Sequence, residues 1–326
     1  MNFIQDRIKL FTGSQQQLPY FIITAGATGS GKTQLITETM KHLGIEREQF
    51  VKILIDDLVE NDDKYKLKII EIYKSIKEEC DKDVNKDSKC EEFKYNNPNP
   101  ELYKKFSDAY FETRNAIRCE PQKCQSNCNN LLSFNQLNDQ NLKNAVKENK
   151  HIVFEFTGSY IPDWLLNPSW ITEKYNVVIA YSLVTLDNLV QRNKSRAYKA
   201  MKEFQTDHNK PAPRLPDVSK EKFKLIVSNI YDVLINLYDL CIVNYDNNKE
   251  KCGQKKINQL LIFDNNGSSM KSIYNSTKVP ILKIDEFKKL IDQSFGLLSE
   301  SSSKEKYLKY KNKYLSLKNS IYYKNK

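Results

Sequence analysis

Eight consecutive residues carry the strongest chemical signal in the chain. Gly26-Ala27-Thr28-Gly29-Ser30-Gly31-Lys32-Thr33 fits G-x-x-x-x-G-K-[ST] at every position. Three of the nine glycines in 326 residues fall between Gly26 and Gly31. Such a run lets backbone N–H groups turn inward around an anion, and the positive end of a following helix adds to the field. In this pattern Lys32 reaches the β- and γ-phosphates of a nucleotide. The Thr33 hydroxyl ligates Mg²⁺. The expected nucleotide contacts therefore run from Gly26, Ala27, Thr28, Gly29, Ser30 and Gly31 through Lys32, Thr33 and Gln34, with ATP and Mg²⁺ as the cofactors.

Acids and arginines supply the remaining chemistry. Asp56 and Asp57 follow the run Val51-Lys52-Ile53-Leu54-Ile55, and Glu155 and Thr157 close the run His151-Ile152-Val153-Phe154-Glu155-Phe156. A carboxylate beyond the second strand faces a phosphate held at the first loop and suits a general base; helix capping is the competing role for an Asp there. Arg192 and Arg196 stand one helical turn apart, and Arg214 lies in Lys210-Pro211-Ala212-Pro213-Arg214-Leu215-Pro216. Planar guanidinium groups suit the anionic transition state of phosphoryl transfer.

These groups need a scaffold that brings distant segments to one edge. Residues 19–25, 51–55, 151–156, 176–181 and 259–263 read as strands, with a sixth at 281–284. Residues 34–43, 62–80, 101–118, 137–148, 186–203 and 220–244 read as helices, the first capped by Gly44. Strands separated by helices imply an α/β fold. The expectation is a P-loop NTPase with a mostly parallel sheet of about five strands and helices on both faces, plus a helical insert at 60–150 and a C-terminal helix. Residues 1–300 form the kinase-like domain and 301–326 a basic amphipathic tail. Ligands of such sheets sit at the carboxyl ends of the strands, where the glycine loop, Asp56, Asp57, Glu155 and Thr157 all fall.

Several classes are disfavoured. A guanine-reading Asn-Lys-x-Asp fails, because Asn193-Lys194 continues as Ser195-Arg196. No apolar strand ends in the Asp-Glu pair of a large motor ATPase, which leaves the small-molecule kinase branch. Hydrophobic residues make up 40% and charged residues 28%, enough for a core and against a wholly disordered chain. No apolar run approaches the ~18 residues of a membrane span, and the N-terminus lacks a signal-like apolar stretch. Seven cysteines, an odd number, read as mostly reduced thiols in a cytoplasmic setting. Cys119, Cys124 and Cys128 lack the paired spacing of structural zinc. His42, His151 and His208 are scattered and suggest no triad.

The net charge is +10, but residues 301–326 hold eight Lys against one Glu, a net +7, which leaves +3 for the rest. That distribution does not favour nucleic acid as the partner. Tyr307, Tyr310, Tyr314, Leu317 and Ile321 form a heptad-like stripe in the tail, which reads as a helix docking on the body or on a protein partner.

The loop at 26–33, Ile53-Leu54-Ile55-Asp56-Asp57, Val153-Phe154-Glu155-Phe156-Thr157-Gly158 and the region 176–230 together resemble the zeta-toxin group of phosphate-loop kinases. The resemblance implies that Asp56 or Asp57 acts as base on a sugar hydroxyl. It implies that Glu155 and Thr157 bind substrate, and that Arg192 (or Arg196) and Arg214 flank the transferred phosphate. The implied acceptor is a small molecule, a nucleotide sugar or a relative of one. Ser159-Tyr160 departs from the family, which often has an Arg there, and residues 60–150 run longer than its pattern. The segment Lys306-Tyr307-Leu308-Lys309-Tyr310 resembles a tail on many proteins of large DNA viruses, which would place the chain in host cytoplasm or virion. Two alternatives stay open: a polynucleotide kinase, and a nucleotide-binding interaction module with little turnover.

Overall fold

The apolar run after Pro19 forms strand β1 (Tyr20–Ala25), whose residues from Phe21 onward are all buried. Its alternating side chains feed two cores. Phe21, Ile23 and Ala25 join one, and Ile22 joins the other. A strand covered on both faces reads as a continuous apolar run. The computed structural model describes residues 18–46, 49–82, 100–119, 131–160, 174–214, 220–247 and 257–296. The tail 301–326, Cys124, Cys128 and residues 83–99 of the insert lie outside the described residues.

Helix α1 (Lys32–Leu43) follows β1 and ends at Gly44, whose φ of 66° lets its N–H fold back toward the last carbonyls. Then come β2 (Phe50–Ile53), α2 (Ile55–Glu60), α3 (Asp63–Lys82) and α4 (Pro100–Asn115). A two-residue ribbon of β3 (Arg118–Cys119) and β4 (Leu131–Leu132) precedes α5 (Phe134–Lys147) and β5 (His151–Phe156). Strand β6 (Asn176–Leu183), α6 (Leu186–Thr206), α7 (Lys220–Tyr238), β7 (Gln259–Asp264), β8 (Lys271–Asn275) and α8 (Ile284–Phe295) complete the order.

Among the described residues the main sheet has six strands in the order β2-β5-β1-β6-β7-β8. The first five are parallel, and β8 pairs antiparallel with β7. The expected sixth strand at 281–284 is corrected: that run ends at the start of α8, and the polar segment Lys271–Asn275 takes the sheet edge instead. Strand β2 stops at Ile53, so Asp56 and Asp57 belong to the first turn of α2 rather than to a strand end.

Helix α1 leads the chain from β1 past β5 to β2, whereas α6 and α7 lead it from β6 outward to β7. The connections leave β1 and β6 in opposite directions, and the carboxyl ends of those two strands bound a crevice. Leu35, Ile36 and Met40 of α1 pack on one face of the sheet. Residues of α5, α6, α7 and α8, including Leu142, Leu189, Leu234 and Phe287, pack on the other.

The segment Lys220–Val243 is long and apolar enough to span a bilayer by length and composition. Here Phe223, Val227, Ile230, Leu234, Leu237 and Tyr238 are buried in the protein core, and the helix loosens into a π turn over Asp239–Val243. Cys241 in that turn is disulfide-bonded.

Candidate functional site

The loop between β1 and α1 is held from outside by side chains. Asn193 of α6 donates from Nδ2 to the Thr28 carbonyl at 2.7 Å. Ser182 of β6 and Asn265, just past β7, both donate to the Ser30 carbonyl, at 2.6 and 2.8 Å. Lys32 Nζ reaches the carbonyls of Gly26 at 3.0 Å and Ala27 at 3.4 Å, and the Gly26 N–H donates to the Thr157 carbonyl. With its carbonyls claimed this way, the loop is left to present amides elsewhere. Gly31 is the N-cap of α1 and no side chain caps that helix, so its first-turn N–H groups keep the unmet donor capacity that suits an oxyanion.

The glycines answer to this packing. Gly29 and Gly31 have φ of 84° and 87°, a region L side chains rarely adopt. A Cβ at Gly29 would strike the Asn193 amide, and one at Gly31 the Asn265 amide. The residues that grip the loop thus exclude a side chain at both positions. Asn265→Ala removes one of two donors to a buried carbonyl. It should lower stability by about 1–2 kcal/mol, read as a drop in urea midpoint at unchanged slope.

Lys32 lies at the bottom of the loop with its ammonium 3.5 Å from Glu155 Oε1. Burial lowers its pKa, and the Glu155 charge offsets only part of that. Glu155 is thereby engaged with the loop lysine. Thr157 is exposed, its hydroxyl 2.9 Å from Ser159 Oγ. Thr33 and Gln34 are exposed in the first turn of α1, which leaves the Thr33 hydroxyl open to a cation beside a bound phosphate. Among the described residues no group of three His, Cys, Asp or Glu could hold a metal, so a cation here would depend on Thr33 together with the phosphates themselves.

Across from the loop, Arg214 pairs with Asp56 through Nη1 and lies 3.9 Å from Glu60 through Nε. Tyr110 of α4 donates its hydroxyl to the other oxygen of Asp56, and the Arg214 guanidinium sits 5.4 Å from the centre of the Tyr110 ring. The arginine's backbone stem is docked: the Ala212 N–H donates to the Glu60 carbonyl at 2.7 Å and Tyr65 donates its hydroxyl to the Pro213 carbonyl at 3.0 Å. Burial alone would raise the Asp56 pKa, but Arg214, Tyr110 and Lys32 outweigh it and hold the carboxyl below its usual range. Asp57, exposed, is pushed up by desolvation and by Asp56 beside it.

Glu60 is the opposite case, its carboxyl pushed up to about 7 chiefly by burial. A raised carboxyl favours the fold fully below its unfolded value near 4.5 and loses that contribution as pH rises through 7. Glu60→Gln should therefore be relatively stabilised at pH 8 compared with pH 5, by about 2 kcal/mol, in denaturation curves recorded at both pH values.

The structure brings Lys32, Glu155, Asp56 and Arg214 together. It places Arg196, exposed on α6, within electrostatic range of Lys32, Asp57 and Glu60. Arg192 is half-buried one turn earlier and has no ion pair among the described residues. Sequence reasoning missed Tyr110, Glu60, Asn193, Asn265 and Ser182. A cradle of amide donors beside a desolvated ammonium can hold an oxyanion, and a carboxylate facing it can accept a proton.

No protein-family model matches the chain, and no curated protein matches it. Among solved structures it is similar to a chain from the PezAT chromosomal toxin–antitoxin system of the human pathogen Streptococcus pneumoniae. The identity is 13%, the match covers 96% of this chain and 93% of that one, and the TM-score is 0.47. An overlap that loose assigns neither a family nor an activity.

Proposed function

We propose that the protein is an ATP-dependent phosphotransferase that moves the γ-phosphoryl group to a hydroxyl of a small molecule, with a nucleotide sugar as the first acceptor to try. The observation that carries this reading is the meeting of four charged groups beside the loop. Lys32 lies 3.5 Å from Glu155, Arg214 pairs with Asp56, and the two pairs lie within electrostatic range of each other. An amide-rich loop, a cation within it and an acid opposite are the parts that phosphoryl transfer asks for, since its catalysis is mostly positioning and charge stabilisation.

In this reading the loop amides from Gly26 to Thr33 hold the triphosphate, and Lys32 leaves its own loop carbonyls to contact the β- and γ-oxygens. Mg²⁺, held by Thr33 and the phosphates, would neutralise charge on those oxygens. Asp56 accepts the proton as the acceptor oxygen bonds to the γ-phosphorus and the bond to the ADP oxygen breaks. Arg214 and Arg196 offset the negative charge of the transferring group. Asp56 is favoured over Asp57 as the base because it is Asp56 that the Lys32 ammonium feels and that Arg214 and Tyr110 contact.

The test is incubation of the full chain with ATP and Mg²⁺ against UDP-sugars and against RNA and DNA termini, with products identified by mass. A phosphorylated sugar nucleotide supports the reading, and phosphorylated termini replace it with a polynucleotide kinase. Tight nucleotide binding with no product from any acceptor overturns it in favour of a binding module.

A further inference from the structure

The two oxygens of Asp56 are held by partners of different kinds. Oδ2 pairs with Arg214, a long side chain on the segment after α6. Oδ1 accepts from Tyr110, whose ring is 3% exposed in the core between α3 and α4. That ring meets Tyr65 edge-on at 6.1 Å and Phe111 at 5.3 Å, so packing fixes its hydroxyl. An arginine can exchange a carboxylate for a phosphate by turning its side chain. A packed tyrosine has no comparable freedom.

On the phosphotransferase reading above, on which this inference rests, Arg214 has a reason to move. A bound triphosphate offers more negative charge than one carboxylate. Once Arg214 turns to it, Oδ2 loses its partner while Oδ1 keeps Tyr110. A carboxylate held at one oxygen and open at the other is aimed, and a base must be aimed within hydrogen-bond reach of the proton it takes.

We propose that Tyr110 is a positioning residue for the transfer reaction: its hydroxyl anchors Oδ1 of Asp56, so that Oδ2 is the oxygen presented to the acceptor hydroxyl when Arg214 withdraws. The long segment between β2 and β5 then supplies part of the site rather than a spacer. Tyr110 does not touch the reacting atoms and acts through Asp56. The other titratable or charged groups that bear on this carboxylate are Lys32 from α1, Asp57 and Glu60 from its own helix, Tyr65 from α3 and Arg214 itself.

Tyr110→Phe is the discriminating variant, since it keeps the ring, its packing and the cation–π contact and deletes only the hydroxyl. In the full chain labelled with ¹³C at Asp carboxyls, the Asp56 signal, assigned by its loss in Asp56→Asn, should titrate about one unit higher in Tyr110→Phe. The acid limb of the kcat profile should move up by the same amount. The value of kcat near neutral pH should fall about tenfold while KM for ATP stays unchanged. In an Asp56→Asn background Tyr110→Phe should have no further effect on kcat, because its effect passes through the carboxylate.

An Asp56 titration that stays put in Tyr110→Phe overturns the proposal and leaves the phosphotransferase reading intact. A titration that moves without any change in kcat or its pH profile also overturns the positioning role. A further kcat loss in the Asp56→Asn background shows that Tyr110 acts by another route, through Arg214 or through the fold, and likewise overturns it. If the wild-type chain phosphorylates no acceptor, the phosphotransferase reading falls and the positioning role falls with it; an Asp56 titration that still moves then shows the hydrogen bond surviving that failure.

Discussion

Lys32→Ala should cut ATP-dependent transfer by about 10²–10³-fold. The size follows from where the ammonium lies. It is nearly enclosed, with 12% of its side chain exposed, and a charge shielded from water acts on a phosphate far more strongly than one at the surface. The same enclosure complicates the variant, because Glu155 at 3.5 Å loses its cation and the Gly26 and Ala27 carbonyls lose their donor. A removed partner leaves a half-buried charge uncompensated, so some loss of stability is expected beside the loss of rate. Glu155→Gln in the Lys32→Ala background separates the two effects. The double variant should regain stability and stay as slow as the single one. Initial rates at saturating ATP and Mg²⁺, with a melting curve on each variant, make the comparison. Wild-type rate in folded Lys32→Ala would remove the loop from the chemistry.

The parts of this arrangement differ in how visibly the chain announces them. Strands β1, β6 and β7 are legible because burial on both faces makes each a nearly unbroken apolar run, and β5 by the apolar Ile152-Val153-Phe154 at its centre. Strand β8 is not, because an edge strand needs little apolar content; Lys271 and Ser272 are exposed, and the more apolar run at 281–284 is a better imitation of a strand than the strand is. Periodicity alone starts α5 at Leu137. The chain starts it earlier, where Ser133 and Gln136 bond each other's backbone N–H groups as a capping box.

Among the site residues, the loop lysine and glycines are marked by local spacing, and Arg214 by being a cation in a proline-rich connection. Tyr110 carries no such mark. In sequence it is one aromatic among several on an amphipathic helix, and its partner Asp56 is 54 positions away. Asn193 and Asn265 are equally silent, since the loop carbonyls they hold are 165 and 235 positions distant. Groups that touch a ligand through local geometry can be read from one segment. Groups that hold those segments in place become visible only when the sheet order brings them together.

Asp56→Asn should reduce transfer by about 10²–10⁴-fold, whereas Asp57→Asn should stay within about threefold of wild type. The two acids are adjacent in sequence and share a helix turn, so any effect of charge on α2 itself applies to both. What separates them is direction. Asp56 contacts Arg214 and Tyr110 and bears on Lys32, while Asp57 is exposed, and desolvation and the neighbouring Asp56 charge outweigh the pull of Lys52, Arg196 and Arg214 on it. Asn at position 56 keeps the shape and can still accept from Tyr110, but it cannot take a proton and no longer neutralises Arg214. An arginine freed in this way keeps Glu60 at 3.9 Å as an anionic neighbour. That contact should draw the Glu60 carboxyl down from its raised value near 7. ATP affinity should hold or rise in Asp56→Asn, because Arg214 meets the phosphates without first leaving a carboxylate. Loss of rate together with retained or tighter ATP binding by calorimetry is therefore the signature of a missing base. Equal losses in Asp56→Asn and Asp57→Asn would instead mean that the acids serve the helix and not the reaction.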